Sequence, residues 1–99
     1  MQQNEYAQRV ADVALSGLRE SFDLLKLGKM VSHVLSEDEN GWWLTVTFES
    51  SRHQGELVKY RGSLCGVDHP QMEANTKGVV YASSLIERLR TGRLTPNSK

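Results

Sequence analysis

GWWLTVTFES, residues 41–50, is the most informative segment of the sequence because its residue types alternate along the chain. Successive side chains of a β-strand point to opposite faces, so this alternation predicts a strand with one core side and one outer side. The core side would carry Trp42, Leu44, Val46 and Phe48, and the outer side Trp43, Thr45, Thr47 and Glu49. We expect Trp42 to anchor the sheet to a helix. A β-bulge at the start of the strand would exchange the roles of the two tryptophans.

The segments on either side of this strand predict further antiparallel pairing. MVSHVLS (residues 30–36) is short and rich in apolar and β-branched residues, and EDENG ends in the Asn-Gly pair that favours a tight hairpin. GELVKYRGSLCG (residues 55–66) predicts a third strand, in which Gly62 marks a bulge or a close backbone approach. GVVYA (residues 78–82) predicts a short fourth strand.

Two helices are predicted at the ends of the chain. Residues 4–27 show apolar residues at steps of three and four, with Asn4 as a cap and Gly28 at the end. The apolar stripe consists of Tyr6, Val10, Val13, Ala14, Leu18, Leu24 and Leu25. Leu15 and Phe22 lie outside it, which indicates either a helix covered on several sides or a partner surface. A second, short helix over residues 84–91 is predicted from the capping box of Ser84 and Glu87 and from Gly92.

The order of elements predicts an α+β fold with a long N-terminal helix, a three- to four-stranded antiparallel sheet and a short C-terminal helix. Both helices would cover one face of the sheet and leave the other face open. We expect one domain over residues 1–99, frayed at 1–3 and 93–99. Cys65 is the only cysteine, and no signal peptide or membrane span is evident, so a soluble cytoplasmic protein is expected.

The charges cancel over the whole chain but differ between its halves. Residues 1–50 hold four basic and eight acidic residues, whereas residues 51–99 hold eight basic and four acidic residues. Two explanations remain open. The halves could complement each other within the fold, or the charges could orient a partner on the surface.

No constellation of residues predicts an enzyme. Cys65 could pair with His33, His53 or His69, but no motif beside it indicates an activated thiol. Cys65, Asp68 and His69 lack the second cluster typical of a zinc site, and the acidic run at residues 37–39 lacks the spacing of a calcium loop. No phosphate-binding glycine motif is present. The sequence therefore predicts neither a catalytic residue nor a metal or other cofactor.

A protein-binding module is the function that the sequence favours, with a protein partner or a second copy as ligand and no membrane. The candidate binding residues lie on the predicted outer side of the sheet, where tryptophan and arginine are typical of interface hot spots. They are Trp43, Thr45, Thr47, Lys59 and Arg61.

Two alternatives remain. A small-molecule site could lie among Phe22, Trp42 and Tyr60. The order of helix, strands and helix is also shared with double-stranded RNA-binding domains, and a nucleic-acid surface would use Arg52, Arg88, Arg90 and Arg93. Lys59 and Arg61 would join these arginines in one basic strip if the third strand and the last helix lie close together. In RNA-binding domains of that class, a basic cluster begins the last helix, whereas SSLIERLR has Glu87 in its first turn.

Several short motifs around the hairpin resemble the gas vesicle protein O family. Gly41-Trp42 opens the alternating strand, Glu49 and Arg52 form a Glu-x-x-Arg motif after it, and Tyr60 lies in the next strand. The resemblance covers residues 10 to about 64. His53-Gln54 replaces the usual Ile-Pro, and the arginine- and tyrosine-rich ending is absent unless Tyr81 and Arg88 stand in for it. The resemblance implies a non-enzymatic accessory role in gas vesicle formation through protein contacts.

Overall fold

A computed structural model describes residues 3–53, 55–66 and 72–96 of the chain. The elements are α1 (Gln3–Leu25), β1 (Gly28–Asp38), β2 (Gly41–Ser50), β3 (Leu57–Gly66) and α2 (Ala74–Arg90). Within the described residues the strands form one antiparallel sheet in the order β1-β2-β3. The α+β fold predicted from the sequence is thus confirmed.

The core lies between the two helices and one face of the sheet. Leu44, Val46 and Phe48 of β2 are fully buried, as is Val58 of β3. Phe22 of α1 packs edge-on against Phe48, with 5.1 Å between the ring centroids. This contact explains why Phe22 is buried although it lies outside the predicted stripe, and Leu15 is buried as well. The helix is therefore covered over a wide arc, which is the first of the two explanations given for Leu15 and Phe22.

The C-terminal end of α1 differs from the prediction in two respects. Leu24 and Leu25, which were assigned to the apolar stripe, are 70% and 52% exposed. The helix ends through Lys26, which adopts a φ of 53° and lets the Leu27 N–H donate to the Phe22 carbonyl. Gly28 does not end the helix but is the first residue of β1. Position 28 requires glycine because a Cβ atom there would collide with the Glu49 carbonyl.

The predicted fourth strand is wrong, since residues 78–82 belong to α2. Val79, Val80 and Tyr81 favour a strand by propensity, but the two valines lie on the exposed side of a helix. Tertiary packing overrides propensity here because Gly78 lets α2 approach α1. A Cβ atom at Gly78 would lie 2.6 Å from the side chain of Val13.

The start of α2 also corrects the sequence prediction. The Glu73 carboxylate caps the helix by accepting from the N–H groups of Asn75 and Thr76, so α2 begins ten residues before the predicted capping box. The end is as expected, with Gly92 in a left-handed conformation (φ 76°) beyond Arg90. Leu94, which lies in the segment expected to fray, is buried in the core.

Tyr81 joins α2 to the sheet at Gly62. Its hydroxyl donates to the Leu44 carbonyl over 2.6 Å, and its ring packs against Tyr60. Burial, and secondarily the neighbouring Tyr60, raise the pKa of Tyr81 above its ordinary value. Gly62 therefore permits the close approach of an aromatic ring. The bulge lies further along β3, where Trp42 pairs with Cys65 and Trp43 with Ser63, and it does not exchange the two tryptophans.

Replacement of Gly62 by Ala should lower the free energy of unfolding by about 1–3 kcal/mol, because the new Cβ would overpack the site. That atom would lie 2.6 Å from the Tyr81 ring, whose position is fixed by the bond to Leu44. Urea unfolding monitored by circular dichroism measures the loss. Gly17→Ala is the control, since its nearest neighbour, the Ala82 Cβ, is 3.8 Å away. An equal loss in both variants would contradict this account of Gly62.

Candidate functional site

The helix-free side of the sheet carries the residues proposed from the sequence. The antiparallel register places Thr45 opposite Arg61 and Thr47 opposite Lys59, so these side chains lie on the side of the sheet that faces away from the helices. We call this surface the Trp43 face. It consists of Ser32, Val34, Ser36, Asp38, Trp43, Thr45, Thr47, Glu49, Leu57, Lys59, Arg61 and Ser63. Thr47 is only 9% exposed, so the accessible area is larger around Val34, Lys59 and Arg61.

Three side chains form a cluster at the hairpin end of the Trp43 face. The Arg61 guanidinium carbon lies 3.9 Å from the centroid of the Trp43 ring, which is a cation–π contact. The Trp43 indole N–H donates to Asp38 over 3.0 Å, and Arg61 binds the other carboxylate oxygen of Asp38 over 3.2 Å. The indole ring is therefore half-buried beneath its own neighbours, and the cluster offers a prearranged aromatic and charged surface.

Asp38 is the residue that the sequence did not single out. The sequence showed it only as part of the acidic run at residues 37–39. The register places Ser36 opposite Trp43 and so brings Asp38 diagonally to the indole. A hydrogen bond from the Asn40 backbone, followed by those from Trp43 and Arg61, lowers the pKa of the Asp38 carboxyl. Counting back from a two-residue hairpin turn at Glu39 and Asn40 would have predicted this neighbour.

The arginines of the alternative nucleic-acid surface do not form one continuous strip. Arg88 lies near the ring of Tyr60, on the helix side of β3, whereas Lys59 and Arg61 point to the Trp43 face. Arg90 lies at the end of α2, and Arg52 and Arg93 occupy loops beyond β2 and α2. The first turn of α2 is capped by an acid, Glu73.

The predicted aromatic pocket is divided between separate parts of the core. Phe22 packs on Phe48, Tyr60 packs on Tyr81, and Trp42 lies near Val13 and Leu35 at the other end of α1. Trp42 packs against the hydrophobic core, as expected. Its indole N–H is buried and has no hydrogen-bond partner in the described part of the chain.

Asp68 and His69, two of the three residues weighed as metal ligands, lie outside the described residues, and the side chain of Cys65 is not described. Among the residues that are described, no three His, Cys, Asp or Glu side chains form a group that could hold a metal ion. None of the described helices has the length and apolar character needed to cross a membrane.

Comparison of the chain with protein-family models, with curated proteins and with solved structures finds no match.

The Asp38 cluster predicts a specific pH response. Because the pKa of Asp38 is depressed in the folded state, its carboxylate favours folding above the ordinary value of 3.8, and this contribution is lost as the pH falls through the folded-state pKa. The NMR resonance of the Trp43 indole N–H should therefore titrate with a midpoint below 3.8. This step should vanish in Asp38→Asn and be absent from the Trp42 indole. A midpoint at or above 3.8 would contradict the cluster.

Proposed function

We propose that the protein is a small, non-enzymatic module that binds another protein through the Trp43 face, as an accessory protein, an adaptor or an inhibitor. The observation that carries the proposal is the cluster of Trp43, Arg61 and Asp38 on the side of the sheet that the helices leave uncovered. Tryptophan and arginine are the residue types most often found at interface hot spots. A lone cysteine supports a reducing, cytoplasmic setting.

The shape of this surface also suits protein binding. A sheet face is nearly flat, and its exposed side chains include apolar Val34 and Leu57, which are 59% and 51% exposed, beside the cations Lys59 and Arg61. Protein interfaces combine apolar and charged side chains, and this surface offers both. The resemblance to the gas vesicle protein O family adds a more specific proposal, in which the partner is a component of gas vesicle assembly.

The proposal predicts that loss of the cluster abolishes capture of the partner without unfolding the protein. The double variant Trp43→Ser/Arg61→Glu removes the aromatic anchor and reverses the charge at position 61, so the affinity for the partner should fall about 30-fold or more. Quantitative pull-down from the native host, with a circular dichroism spectrum of each variant, measures this. The control Val79→Ser/Arg90→Glu makes equivalent changes on exposed positions of α2. Retention of the same proteins by the cluster variant would refute the proposal.

A second candidate function, binding of double-stranded RNA, is favoured by the order of one helix, three strands and one helix. It requires affinity for an RNA duplex of about 16 base pairs that weakens steeply with salt. Titration of such a duplex at low salt separates the two candidates. We expect no binding, because Glu73 occupies the start of α2 and the arginines lie on different sides of the fold. Binding that is lost in Arg88→Glu would instead support the RNA candidate.

A further inference from the structure

The edge of β1 is a second surface suited to a specific contact. In the described part of the chain β1 has a neighbouring strand on one side only, and its other edge presents unpaired backbone N–H and C=O groups. Most of its residues are exposed or half-exposed. A bulge in the pairing with β2 lies between Met30 and Ser32, so the regular part of the strand is residues 32–38. These seven residues are long enough to pair with another strand.

The regular part of β1 is self-complementary about Leu35. If a second copy pairs antiparallel to it with Leu35 opposite Leu35, then His33 lies opposite Glu37 of the other copy, and Val34 lies opposite Ser36. His33, Leu35 and Glu37 all lie on the helix side of the sheet, because His33 and Leu35 pair with the core residues Val46 and Leu44. Every pair therefore joins side chains on the same face.

The surroundings of His33 and Leu35 fit these pairings. Arg19 of α1 lines the same hollow as His33, is exposed, and makes no hydrogen bond or ion pair within the described residues. The Glu37 carboxylate of a second copy would meet both the imidazole N–H and this guanidinium. Leu35 is half-buried and packs against the hydrophobic core, so the Leu35–Leu35 pair would place an apolar contact at the centre of the pairing. The charge complementarity repeats at both ends because the arrangement is two-fold symmetric.

We propose that two copies of this chain associate through β1, paired antiparallel about Leu35, into one continuous six-stranded sheet. His33 and Arg19 of each copy bind Glu37 of the other. The two-fold axis runs perpendicular to the sheet, so both pairs of helices lie on one side and both Trp43 faces lie on the other. The pairing is independent of the proposed function, but it would join two Trp43 faces into one larger surface.

Light scattering coupled to size exclusion tests the dimer directly. The full chain should have a mass of about twice 11.2 kDa at concentrations on the order of 0.1 mM. Glu37→Lys should return the mass to that of one chain, because the new ammonium would face His33 and Arg19. His33→Glu should do the same, because two carboxylates would then face each other. The double variant His33→Glu/Glu37→Lys restores opposite charges and should recover the dimer.

The control is Glu39→Lys, which makes the same charge change in the exposed hairpin turn and should leave the dimer intact. Hydrogen exchange of the β1 amides should also slow as the wild-type concentration rises. A single-chain mass for the wild type at every concentration would overturn the proposal. So would an undiminished dimer in Glu37→Lys, or a failure of the folded double variant to recover it.

Discussion

Three side chains on one face of β2 are fully buried, and their burial fixes the arrangement of the whole sheet. Leu44, Val46 and Phe48 are fully buried beneath the helices, and burying three large apolar side chains stabilises the fold by roughly 5–9 kcal/mol. A shift of one residue in this strand would expose all three. The register is therefore fixed, and with it the position of every residue on the Trp43 face.

The central position of β2 extends this constraint to both neighbouring strands. Arg61 stacks on Trp43 because Thr45 and Arg61 are paired, and Asp38 reaches the same indole because the hairpin turn is tight. On the helix side of the sheet, the Tyr81 hydroxyl donates to the Leu44 carbonyl above Gly62 and so fixes α2 to β2. The same strand thus positions the core and the candidate binding surface, while β1 remains at the edge of the sheet.

Sequence periodicity predicted the elements whose burial is one-sided. The alternation of residues 41–50 and the helical spacing of residues 4–27 are clear sequence patterns, because each element contacts the core on one side. The same reasoning failed at residues 78–82, where two adjacent valines resemble a strand. Their helical role depends on Gly78 fitting against Val13, a contact between residues far apart in sequence. Lys26, rather than a glycine, ends α1, and sequence preference alone could not indicate this.

The candidate site was predictable to the extent that it follows from alternation. Trp43, Thr45 and Arg61 were placed correctly relative to one another, since period two determines which side chains share a face. Prediction of the role of Asp38 requires the length of the hairpin turn. Prediction of the separation of Arg88 from Arg61 requires the face of the sheet that α2 covers. The exposed edge of β1 is a consequence of the strand order, which the local pattern of residues does not predict.

The adjacent tryptophans are divided between core and surface, and the free energies of unfolding of Trp42→Ser and Trp43→Ser measure this division. Urea denaturation of both variants, compared with the wild type, measures these values. Trp42→Ser should lose about 2–4 kcal/mol, because it removes a large side chain packed on the core. Trp43→Ser should lose about 1 kcal/mol or less, since its two partners in the cluster, Arg61 and Asp38, are themselves exposed. A loss of several kcal/mol in Trp43→Ser, equal to or greater than that of Trp42→Ser, would contradict the account.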